Sequence, residues 1–272
     1  MKLKEGLDFI NGIEELSAMP NIALDVMGML NDPGATVKQI SEKIMLDQAM
    51  VSYILKSCNS PFYGVNKEIN SITIGIRLMG YSALKSILMS YFMRNLFNLS
   101  GKNRIKELLW KHSIAVAVFS RNLASLFRMD SEETYVAGLL HDIGKMVLYL
   151  DDSEKYEKII ESVEAGKNDF ITAERRLLEL SHVDTGYFLA EKWKLSQLLK
   201  DVILYHHDLH LFLGSDQVIG IVAFADQLTH VFLEKRFDNL DYFLKRFNLA
   251  EKDVDKLVDT SLKSIENFFS IL

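Results

Sequence analysis

The chain has 272 residues, enough for one large domain or two smaller ones with substantial cores. Apolar residues make up 49% and charged residues 25%, the balance of a globular protein, and a net charge of −6 argues against a general nucleic-acid-binding surface. A single cysteine, Cys58, excludes an internal disulfide framework and suits a reducing compartment.

The opening stretch, MKLKEGLDFINGIEEL, lacks the long apolar core of a signal peptide. No run reaches the ~18 uninterrupted apolar residues of a membrane span. The expectation is a cytoplasmic protein without a membrane partner. Cys58 falls in the apolar run VSYILKSCNS and reads as a buried, inert thiol.

The pattern along the chain is all-α. Only Pro20, Pro33 and Pro61 occur, and none interrupts the chain from Ser71 onward. Asn21–Leu30 reads as a helix ending at the turn Asn31-Asp32-Pro33-Gly34. Thr36 caps the next helix and Asp47 a further one. Ser60-Pro61-Phe62-Tyr63-Gly64 reads as a loop, with Phe62 and Tyr63, near Tyr53, packing in a core. The scattered methionines read as bundle filler. Ser71 opens an apolar run to about Gly80, and Ser82 caps LKSILMSYFMRNLF. A helix-turn-helix over Val37–Asn59 is conceivable, but the low basic charge makes nucleic acid an unfavoured partner.

The polar stretch Asn98–Asn103 divides the chain into an N-terminal helical bundle, 1–100, and a second helical unit, 101–272. The second unit opens with one long amphipathic helix. Further helices are expected over Glu132–Leu150, Ser153–Glu164, Thr172–Trp193, Ser196–His207, Asp216–Lys235 and Asp253–Leu272.

All seven histidines lie between His112 and His230. His112 shares an apolar stripe with Leu108, Ala115, Val116 and Phe119, so its ring needs a partner; a hydrogen-bonded core histidine is the plain alternative. His141 and Asp142 are adjacent, and neighbouring side chains on a helix diverge by about 100°. They suit a metal if the helix is irregular there, or if Asp142 bridges two ions. Lys145 lies one turn beyond His141, where a cation suits a phosphate oxygen or simply a helix end. Asp226 sits among apolar residues, where an uncompensated carboxylate is costly. His230, four residues on, reads as its hydrogen-bond partner or as a surface residue. His206 and His207 cannot both point the same way; His206 is the expected ligand. His210 is expected in solvent.

A histidine, then an HD pair within HDIGK, then a later helix bearing an aspartate resembles the HD superfamily of metal-dependent phosphohydrolases. His112, His141–Asp142 and Asp226 match that order. His182 in SHVDTGYFLAEKW and the pair His206–His207 in LYHHD match members with two metals. The first half resembles the HDOD branch: LSAMPNIALDVMGMLNDPG, the helix start after Asp47, CNSPFYG and LMGYSAL occur in order, from about Glu14 to His210. The resemblance implies an N-terminal bundle packed on an HD-like helical core. It implies one or two divalent transition metal ions (Fe, Mn, Zn or Ni) on His112, His141, Asp142, His182, His206, His207 and Asp226. Asp142 and Lys145 would be catalytic, with Lys145 on phosphate. It implies a bacterial signalling role, with a protein partner and a phosphate-containing ligand. The alternative is a phosphohydrolase acting on a nucleotide or cyclic nucleotide. The GYP motif of cyclic-dinucleotide phosphodiesterases is missing after the HH pair, where the chain reads Asp208-Leu209-His210. Many HDOD members lack part of the ligand set, whereas this chain keeps nearly all of it.

Overall fold

The computed structural model describes residues 3–13, 21–63, 68–97, 103–208, 217–232 and 240–270. Among these every regular element is a helix. The first are α1 (Leu3–Gly12), α2 (Asn21–Asn31), α3 (Val37–Ile44), α4 (Gln48–Cys58) and α5 (Ile72–Phe97). Thr36 and Gln39 form a capping box at α3, and the Asp47 carboxylate accepts from the Met50 N–H at α4. Gly80, at φ 83°, interrupts α5 where the sequence pattern divides in two. By length and composition α5 could cross a membrane, but half of its most apolar window is buried within the protein.

The rest comprises α6 (Arg104–Leu126), α7 (Ser131–Leu140), α8 (Ile143–Asp151), α9 (Ser153–Glu164), α10 (Phe170–Leu178), α11 (His182–Lys192) and α12 (Gln197–Tyr205). They are followed by α13 (Gln217–Phe232), α14 (Leu240–Phe247) and α15 (Glu251–Phe269). Two spans that the pattern reads as continuous are broken. Glu132–Leu150 divides at His141–Asp142, where Asp142 takes φ −105° and ψ 16°. Thr172–Trp193 divides at Glu179, in the left-handed conformation, and Ser181 starts α11 with a capping box to Asp184. Residues 134–149 are buried throughout, so the apolar pattern gives no sign of the first break. Helices α1 and α14 were not anticipated. Asn98–Lys102, Gly64 and His210 lie outside the described residues.

One apolar core spans both halves. α6 is its axis, packed against α5, α7, α8, α13 and α15. α1 lies on α11, with Gly6 against the Phe188 ring. An aromatic seam joins the halves: Phe97 and Phe268 flank Trp110, with ring centroids 5.6 and 6.2 Å away, and Phe62 meets Phe268 at 5.8 Å and Tyr135 at 6.0 Å. Each such ring, when buried, stabilises by roughly 1.5–3 kcal/mol. The loop carrying Phe62 is closed by the Asn59 amide, which donates to the Ile69 carbonyl (2.7 Å) and accepts from its N–H (2.6 Å). The Arg121 guanidinium packs over Phe62 and Tyr63, 4.7 and 5.0 Å from the ring centroids, and pairs with Glu132 at 2.5 Å. Phe62 and Tyr63 thus pack between bundle and core, as the sequence suggests.

Candidate metal centre

The break between α7 and α8 turns the Asp142 carboxylate inward, beside the His141 ring. Two close helix crossings hold it there. A Cβ on Gly138 would lie 2.5 Å from Ser120 Oγ on α6, and one on Gly144 would lie 1.8 Å from the His182 carbonyl oxygen on α11. Only glycine lets α8 meet α11 backbone to backbone.

Around Asp142 the chain gathers side chains from six helices or their ends. His112 Nε2 is 3.4 Å and His141 Nε2 3.3 Å from Asp142 Oδ2. His182 Nε2 is 3.4 Å and His206 Nε2 3.5 Å from the other oxygen, Oδ1. Asp226 Oδ1 lies 3.1 Å from His112 Nε2 and 3.8 Å from His141 Nε2. His207, exposed at the rim, places Nε2 3.0 Å from His182 Nε2. Every sequence-assigned residue is therefore in one cluster. It falls into the sets His112, His141, Asp142 and Asp142, His182, His206, His207, which share one carboxylate, with the set His112, Asp226, His230 beside them.

The backbone fixes which ring nitrogen faces the cluster. His141 Nδ1 is 2.7 Å from the Gly138 carbonyl, and His206 Nδ1 is 3.1 Å from those of Val202 and Ile203. A carbonyl only accepts, so each Nδ1 carries the proton and each Nε2 presents a lone pair. His182 Nδ1 donates to the Glu174 carboxylate at 2.7 Å. Glu174 also accepts from the His182 backbone N–H (2.8 Å) and from Tyr156 (3.0 Å). Sequence reading missed this buried glutamate. Its one signal is an acidic residue on the apolar face of α10, between Phe170 and Leu178.

The electrostatics suit a cation. Burial opposes the charge on Asp142, but the Lys145 ammonium beside it holds its carboxyl well below the usual range. Asp226 is held down likewise, against burial, by His230 and His112. Burial lowers the pKa of His206 and keeps it neutral, the form that ligates. Lys145 is buried, 2.5 Å from Asp142 Oδ2, with Nζ 4.2 Å from the Phe170 ring centroid. Burial opposes its charge too, but Asp142 and Asp226 raise its pKa. The helix-end alternative for Lys145 is thus corrected, since it points into the cluster.

The donor set fits a metal. His141 Nε2, His206 Nε2, Asp142 Oδ1 and Asp226 Oδ1 are buried and make no hydrogen bond. Buried polar atoms are rarely left so. The distances from the four imidazole nitrogens to the Asp142 oxygens, 3.3–3.5 Å, match the ligand–ligand edges that metal–ligand bonds near 2.1 Å produce. A cleft of about 630 Å³ opens over the cluster, lined by Asn168, Phe170, His207, Asp226, Gln227 and His230 among others.

Three comparisons agree with this architecture. A Geobacter sulfurreducens HDOD domain protein of unknown function superposes with a TM-score of 0.72 at 30% identity, covering 87% of this chain and 80% of that one. A Shewanella amazonensis structure, provisionally named a metal-dependent phosphohydrolase, shares the fold at 21% identity and TM-score 0.70, covering 97% and 98%. An uncharacterised Treponema pallidum protein is 26% identical over 218 residues, 79% of this chain; the chain spans 42% of that protein's length. The HDOD domain family matches residues 16–209. The chain belongs to the HDOD domain family.

Proposed function

We propose that this HDOD chain is a cytoplasmic, metal-dependent phosphohydrolase that serves signal transduction. One ion would be held by His112, His141, Asp142 and Asp226, and a second by Asp142, His182, His206 and His207. The observation that carries this reading is the divided carboxylate of Asp142, with Oδ2 facing one pair of imidazoles and Oδ1 another. The donors suit Fe, Mn, Zn or Ni. Such ions, when bound, supply the Lewis acidity that makes water nucleophilic near neutral pH and neutralise charge on phosphoryl oxygens.

The remaining parts are the chain's own. Lys145, whose Nζ lies 2.5 Å from Asp142 Oδ2, would contribute a cation for a phosphate oxygen of a molecule bound over the cluster. Phe170 covers its ammonium and limits water there. Glu174 fixes the His182 ring so that its lone pair faces the cluster. The cleft beside Asn168 and Gln227 admits the phosphate-bearing molecule.

A second reading is a regulatory module that binds metal and a phosphate ligand without turnover. It is favoured by a separate cavity of about 510 Å³ between the bundle and the core, lined by Met27, Lys85, Glu132 and Trp193, where one ligand or partner segment would touch both halves.

The test is metal analysis of the purified protein. Hydrolysis of phosphomonoesters, nucleotides, cyclic dinucleotides and RNA is then measured beside Asp142→Ala. Bound metal with turnover that Asp142→Ala abolishes supports the enzyme. Metal without turnover supports the module. No metal under any loading condition sinks both.

A further inference from the structure

Helix α13 turns one face toward the cleft over the cluster. Ala223, Asp226, Gln227 and His230, spaced i, i+3, i+4 and i+7, all line it. Gln227 is only 9% exposed, and its Nε2 is buried without a hydrogen-bond partner. On the opposite wall, polar groups are already engaged by the protein. Asn168 Nδ2 donates to Ser162 Oγ at 3.0 Å, and the Asp169 carboxylate accepts from the Thr172 N–H at 2.8 Å.

Packing does not account for Gln227. A leucine would fill similar space without burying an unpaired amide, which weakens the fold. A ligand that completes the amide removes that cost, and a site built this way discriminates against ligands lacking the matching group. The last torsion of a glutamine is broad, so either end of the carboxamide can turn to the ligand. Its height on the helix decides what it meets. Gln227 is one residue past Asp226, about 1.5 Å further along the axis, so it stands level with the cluster. With a phosphoryl group over the cluster, the first carbons of the ester and their substituents come within its reach. The cleft, at about 630 Å³, has room for them. A carboxamide both donates and accepts hydrogen bonds, and so does a hydroxyl.

We propose that Gln227 is a specificity-determining residue that binds a hydroxyl of the ligand. The cleft then takes phosphate esters of sugars or other polyols in preference to phosphate esters of simple alcohols. The inference rests on the reading of the Asp142 cluster as a metal site that holds phosphate, and it adds the organic side of the ligand. Phe170, Ile171 and Phe243 give the cleft apolar surface for the carbon skeleton. Discrimination at the hydroxyl falls to Gln227.

Calorimetric titration of the Mn²⁺-loaded protein with three probes tests this: inorganic phosphate, propyl phosphate and glycerol 3-phosphate. The last two share a three-carbon chain and differ in their hydroxyls. Wild-type protein is expected to bind glycerol 3-phosphate at least about tenfold more tightly than propyl phosphate. Gln227→Leu should bring the two within about twofold of each other while binding inorganic phosphate as wild type does. It should melt no lower than wild type, since it removes a buried unpaired amide. Equal wild-type affinities for glycerol 3-phosphate and propyl phosphate overturn the proposal without reference to any variant. A preference that survives in Gln227→Leu also overturns it, as does a lowered melting temperature with all three probes weakened alike, which marks a packing role. Each of these results leaves the phosphate-holding cluster standing. A Mn²⁺-loaded wild type that binds none of the three removes that underlying reading, and this proposal with it.

Discussion

Gly144 and His182 touch through their backbones: a Cβ built on the glycine would fall 1.8 Å from the histidine carbonyl oxygen. This contact sets the distance between the helix that carries Lys145 and the helix that begins with His182. Gly144→Ala is expected to force α8 and α11 apart, at a cost of at least about 1–3 kcal/mol. Thermal melting should show the loss. Metal analysis should show fewer bound equivalents even where the variant still folds. A variant that melts and loads like wild type would contradict the packing.

Glu174 accepts three hydrogen bonds and orients His182. Glu174→Gln keeps an oxygen that accepts from the His182 N–H and Nδ1–H but removes the negative charge that makes the His182 ring a more basic ligand. Calorimetric titration should show affinity at the position served by His182 falling by roughly 10–100-fold, with the His112–His141 position unaffected. Equal losses at both would mean a general structural effect.

Stripping metal should lower stability, because ions that bind only the folded chain stabilise it by mass action. At free metal near a hundred times Kd the contribution of each site is about 2.7 kcal/mol. A chelator should therefore lower the melting temperature by several degrees, and Asp142→Ala should be insensitive to it. Identical chelator responses would argue against the shared carboxylate.

Cys58 is fully buried, and burial pushes its thiol up to about 11 from 9.0. Below pH 9 the group is neutral in both states and contributes no pH dependence. Between 9 and 11 the unfolded chain gives up the proton first, so stability falls as pH rises through that window. Denaturant titrations across this range should show a shallower decline for Cys58→Val. At pH 8 a thiol reagent should label native protein only as fast as it unfolds.

Much of the candidate site is legible in the sequence because its donor side chains are polar residues at apolar helical positions. Asp226 among IGIVAFADQL and His112 on its stripe announce themselves in this way. The adjacent His141–Asp142 pair suits either an irregular helix or a bridging aspartate, and the backbone turns at Asp142. What stayed hidden depends on contacts across space. Glu174 is one acidic residue among many until α10 packs beside α11. The left-handed turn at Glu179 has no glycine to mark it. The short α14 is masked by its mixture of charge and aromatic residues. The position of Lys145 follows from the helix break, which periodicity alone does not register.

Helix α7 begins where Glu132 meets Arg121 and ends at His141. Ten residues of helix span about 15 Å, and on that scale the segment behaves as a stiff rod. The loop of the N-terminal half grips Arg121 at the near end, and the far end seats the paired ligands. Pulling Phe62 or Tyr63 off the guanidinium would therefore tug on the His141 and Asp142 side chains themselves, so the two halves share a common linkage and not merely a common boundary.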